Sequence, residues 1–86
     1  MNDKARHIRE RFPGKKQSID LLIVEDPEFL TLCEDHDACV NALRYWANSK
    51  ESVAETRVNE YRTLVRELQE EIAQALETLQ SRRLDR

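Results

Sequence analysis

Residues 26–47 read DPEFLTLCEDHDACVNALRYWA. The first three of them carry three helix-start signals in a row. Asp is a preferred N-cap, proline is preorganised for the first helical position, and Glu suits the positive end of the helix macrodipole. Beyond them Phe29, Leu32, Cys33, His36, Cys39, Val40, Leu43, Trp46 and Ala47 recur at helical spacing. That is one face of a helix of about six turns. A residue that precedes proline avoids the α region, so a helix arriving from upstream must break at Asp26.

Downstream, Asn48-Ser49-Lys50-Glu51 interrupts the pattern, and Asn48 can end a helix in the left-handed conformation. Ser52-Val53-Ala54-Glu55 fits a capping box, so the next helix is expected from residue 52. Its apolar stripe runs through Ala54, Val58, Tyr61, Leu64, Val65, Leu68, Ile72, Ala75, Leu76 and Leu79 without a Gly or Pro. Two amphipathic helices joined by so short a connection pack antiparallel. A four-residue connection makes facing positions sum to about 100. It sets His36 against Leu64 and Val65, Phe29 against Ile72, and Cys39 against Tyr61.

Upstream, Ala5, Ile8 and Phe12 give residues 3–12 a thin apolar stripe that Pro13-Gly14 ends. Lys15-Lys16-Gln17 reads as a linker, and Ser18 as the N-cap of a helix over 18–25. Ile19, Leu22 and Ile23 on that helix are placed to cover Leu76 and Leu79. The expected fold is all-α: a long antiparallel helical hairpin with two short N-terminal helices packed on it. It forms one domain over residues 1–86, with 1–17 as basic helix and linker and 18–86 as the hairpin core.

The stretches DPEFLTLCEDHDACVNAL and YRTLVRELQEEIAQAL carry Phe29, Leu32, Glu34, His36, Asp37, Leu68, Glu71 and Ile72. In these residues the chain resembles the YdcH-like family of small bacterial helical hairpins, over roughly residues 26–76. It departs from that pattern in lacking a Lys-rich start to the second helix, and in adding an N-terminal extension and two cysteines. The family has no established activity. The resemblance implies a fold and no reaction, cofactor or partner.

Composition narrows the functions. The 86 residues hold 14 Lys and Arg against 17 Asp and Glu, with a single Gly. A chain of this size buries only about 60% of its unfolded surface, which leaves no room for the cleft of a large enzyme. One glycine excludes a Gly-rich phosphate loop. The longest apolar run is the four residues 21–24, against the ~20 of a membrane span. Two cysteines with no apolar leader read as reduced thiols, so a cytoplasmic compartment is expected. No enzyme activity and no cofactor are expected.

Charge is uneven. Residues 1–16 carry a net +4 and residues 17–50 a net −5. Lys4, Arg6, Arg9, Arg11, Lys15 and Lys16 are therefore candidates for contact with a polyanion. The favoured reading places them against the acidic middle of their own chain or of a second copy, since a net-acidic protein is repelled by phosphate and nucleic acid is disfavoured. Cys33, His36 and Cys39 carry metal-ligand and redox chemistry types at spacings of three. No Cys or His lies opposite them on the second helix, and all three sit on the apolar stripe. A packed histidine, hydrogen-bonded to a neighbouring acid or backbone group, is favoured over a metal site. Leu30 and Tyr45 lie off the main stripe and are candidates for a second contact face. Leu76 and Leu79, on the overhang of the longer helix, are the expected contacts for a second copy. The leading expectation is a non-catalytic interaction or assembly protein whose partner is its own homodimer or another helical protein.

Overall fold

The computed structural model describes residues 5–84. They form four α-helices and, among the described residues, no strand: α1 (Arg6–Arg11), α2 (Lys16–Glu25), α3 (Pro27–Ala47) and α4 (Ala54–Leu84). The all-α expectation holds. α3 starts and stops where residues 26–47 predict.

Asp26 makes the α2–α3 break. Its extended backbone, φ −128° and ψ 101°, is what the following proline demands. Its main-chain N–H closes α2 on Leu22 O at 2.8 Å, and its carbonyl accepts the first α3 bond from Leu30 N. Its carboxylate accepts from the Glu28 and Phe29 amides at 3.0 and 3.4 Å.

Three expected boundaries are corrected. Lys15-Lys16-Gln17 is not a linker: Pro13–Lys15 form a 3₁₀ turn and α2 begins at Lys16, two residues before Ser18, with no side-chain cap. The fixed φ of Pro13 starts that turn, and the turn feeds the helix directly. Asn48 ends α3 at φ −100°, outside the left-handed region, with its side-chain amide donating to Arg44 O. Ser52 and Glu55 form no capping box. Ser49 Oγ instead accepts from Glu51 N, and α4 starts at Ala54.

The connection is thus six residues, not four, and the facing register moves by about one turn. His36 meets Gln69 rather than Leu64 or Val65. Cys39 lies beside Leu64 and Leu68 rather than Tyr61.

All four segments feed one core. Ile8 from α1, Ile19 and Leu22 from α2, Phe29 and Cys33 from α3, and Ile72, Leu76 and Leu79 from α4 are all buried in it. Ile19 and Leu22 cover Leu76 and Leu79, as their positions predict. The core stops abruptly. From Asp37 to Glu71 the only buried residue is Ala54. The molecule is therefore a packed four-helix end joined to a two-helix arm, within a body measuring 54 × 27 × 21 Å.

Candidate functional site

Three parts of the described residues carry chemistry-bearing side chains: the polar cluster under α1 with the buried His36, the basic head, and the open face of the arm. The first is built by α1 crossing α3. The main-chain N–H of His7 donates to Asp37 Oδ1 at 3.1 Å, and His7 Nε2 lies 3.4 Å from Asn41 Oδ1. Asp37 and Asn41, one turn apart on α3, form the polar seat for α1. The His7 ring meets His36 edge-on, with centroids 6.5 Å apart.

His36 is 1% exposed. The Gln69 side-chain nitrogen lies 3.1 Å from its Nε2. With Gln69 donating there, the proton of the neutral ring belongs on Nδ1, which has no hydrogen-bond partner. Burial pushes the His36 pKa below its ordinary value. The Asp37 charge pulls it up, and His7 pushes it down further. A buried, neutral ring offers no face to a substrate arriving from solvent. The expected packed histidine is therefore present, but its partner is an amide on α4, not a neighbouring acid or backbone group. Gln69 was missed as a functional residue. It lies four residues after Val65 and three before Ile72, so its place on the inner face was readable from spacing alone.

The two cysteines go to different surroundings. Cys33 is fully buried in the core. Cys39 is half-buried at the groove between α3 and α4, where burial first and the Asp35 charge second push its thiol pKa up. A thiol held protonated is a weak nucleophile and a weak ligand. Six residues separate the cysteines, which turns them about 120° apart around α3. Among the described residues no group of three or more His, Cys, Asp or Glu is placed to hold a metal ion.

The basic head is largely engaged within the chain. Arg9 pairs with Asp20. Arg6 Nε lies 3.5 Å from Glu10, and the Arg11 guanidinium sits 5.0 Å from the Phe12 ring centroid. Lys15 Nζ donates to Gln80 Oε1 at 2.9 Å. Lys16 is exposed, and with Lys15 and Gln80 it borders a shallow depression of about 420 Å³. Lys4 lies outside the described residues. The described polyanion candidates are thus divided among α1, the 3₁₀ turn and the start of α2.

The open surface lies elsewhere than expected. Leu76 and Leu79 are 4% and 5% exposed, so the chain's own core takes them and they present nothing to a second copy. Helix α2 reaches them because it is a full ten residues long. Leu30 is half-buried. Tyr45, opposite His36 on α3, is 61% exposed, and Trp46, expected in the core, lies half-buried edge-on against it. Val53 and Leu64 are also exposed on the arm, whereas Val24 stands apart on α2. Among the described residues no helix is long and apolar enough to cross a membrane. No protein family, curated protein or solved structure matches this chain.

Proposed function

We propose that this chain is a non-catalytic helical interaction module of the cytoplasm that self-associates through the end of its arm. In this reading α3 and α4 are a long antiparallel hairpin, with α1 and α2 folded onto one end. The likeness of residues 26–76 to the YdcH-like hairpins belongs to the same proposal. The observation that carries it is the stretch from Asp37 to Glu71, in which Ala54 is the only buried residue. Two helices alone cannot cover their apolar stripes, and an uncovered stripe of this kind marks a contact surface. Tyr45 and Trp46 pack edge-on near the end of α3, Val53 is exposed just before α4, and aromatic residues are enriched where proteins meet. A second copy related by two-fold symmetry covers both ends at once.

Sedimentation equilibrium tests this. A dimer with Kd near 1 μM, about −8 kcal/mol, is expected. Val53→Asp and Tyr45→Ala should each weaken it without changing the helical signal, since neither side chain is in the core. A folded species that stays at 10.2 kDa at about 100 μM overturns the proposal.

A further inference from the structure

The groove between α3 and α4 contains two depressions, one of about 370 Å³ at the root of the arm and one of about 470 Å³ beside the four-helix end, that meet at Glu71. Their apolar surface comes from Leu32 and Cys39 of α3 and from Leu64 and Leu68 of α4. Their charged lining is of one sign. Glu28, Asp35, Glu67 and Glu71 are all exposed, and no basic residue lines either depression. Among the described residues no ion pair engages any of these four carboxylates. This arrangement differs from the basic head, where Arg6 and Arg9 meet acids of their own chain.

We infer that this groove takes a basic amphipathic helix from another protein. An apolar floor with charged walls is the form of helix-in-groove recognition, in which apolar anchors at i, i+3 or i+4 and i+7 enter the floor. The walls then select the flanking residues, and four carboxylates select Lys and Arg. Glu28 to Cys39 spans about 16 Å at 1.5 Å per residue, so the occupant is a helix of about three turns.

A second copy does not fit this face. A two-fold contact would bring Asp35, Glu67 and Glu71 against the same carboxylates of the partner, and like charges set against each other reject a partner. The basic helix α1 cannot serve as the occupant either, because it has six residues and its apolar anchor Ile8 is fully buried in its own core.

The inference rests on the reading of the chain as an interaction module but not on its self-association, and the two fail separately. The probe is a labelled synthetic helix of about 14 residues, with Leu at i, i+4 and i+7 and Lys on both flanks. It is titrated by fluorescence anisotropy into the full chain and into its Val53→Asp form. Micromolar binding to both proteins is expected, and it should fall as salt rises. Glu67→Lys with Glu71→Lys should weaken it about tenfold or more, and Leu64→Asp similarly. All three positions are exposed, and circular dichroism confirms that each variant is folded. Asp35→Asn serves as the milder variant, with a smaller loss in the same direction. Equal binding of a scrambled peptide, or of one with Glu in place of Lys, overturns the inference. So does charge reversal that dissociates the dimer and leaves peptide binding unchanged, since that would make a second copy the occupant.

Discussion

The two ends of this molecule share two helices and differ in almost everything else. At the four-helix end, α3 and α4 give Phe29, Cys33, Ile72, Leu76 and Leu79 to a common core with Ile8, Ile19 and Leu22. Along the arm the same two helices continue at the same spacing and bury one alanine. The apolar periodicity of α3 and α4 is much the same in both halves, so pattern does not account for the difference. What separates them is a third layer. α1 and α2 lie over one half, and the other half has only its partner helix. A stripe of Leu, Val and Tyr becomes core only when something covers both its flanks. Left uncovered, it is a surface.

Phe29→Ala tests that contrast most severely. Phe29 is 1% exposed at the four-helix end, and its truncation should cost about 3–5 kcal/mol in urea denaturation. Val65→Ala, on the half-buried stripe of the arm, should cost about 1 kcal/mol or less. Equal losses would mean that the arm is as tightly packed as the end, and the comparison would fail. The next largest effect belongs to Gln69→Ala. It leaves His36 Nε2 buried with no partner, at a cost of about 1–3 kcal/mol. His36→Phe made in the Gln69→Ala background should recover part of that loss. Asp26→Ala removes the cap that separates α2 from α3 and should cost about 0.5–2 kcal/mol.

The smallest effect is the dependence on pH below neutrality, and His36 should contribute to it. Burial lowers the His36 pKa from 6.5 in the folded chain. As pH falls through that ordinary value, the unfolded chain binds a proton that the folded chain still refuses. The His36 contribution is therefore complete above about pH 6.5 and is lost as pH falls toward the lowered folded value. Urea midpoints taken at stepwise lower pH should drift down across that window, and His36→Gln should flatten the drift. An unchanged drift in that variant would assign it to other groups.

Much of this architecture was legible in advance, for identifiable reasons. Asp26-Pro27-Glu28 combines three independent local preferences, so the start of α3 did not depend on tertiary context. The cover of Leu76 and Leu79 by Ile19 and Leu22 followed from chain length and spacing. The same logic failed where a boundary depends on weak capping. Ser52 and Ser18 looked like caps, yet a longer connection and a 3₁₀ turn moved both helix starts. His36 meets Gln69, four to five residues beyond Leu64 and Val65, and the two extra residues in the connection account for only two of them. The side that stays bare was misjudged for a related reason. Periodicity identifies an apolar face, but it does not say how far along that face a short third helix extends. In the acidic groove, Glu28, Asp35, Glu67 and Glu71 come from two helices and become neighbours only through the packing of α3 on α4.

The core that Ile19 shares with Leu79 also bears on the order in which the chain can acquire its structure. Leu79 follows Ile19 by sixty positions, and Lys15 reaches Gln80 across a similar distance. During synthesis at about 5–20 residues per second, α2 waits roughly 3–12 s for the residues that will cover it. Through that interval Ile19 and Leu22 have only α1 and α3 to rest against. The arm, whose partners are close neighbours in sequence, needs no such wait. Nascent chains arrested just after Leu68 emerges should therefore pair α3 with the start of α4 while α2 remains open to protease.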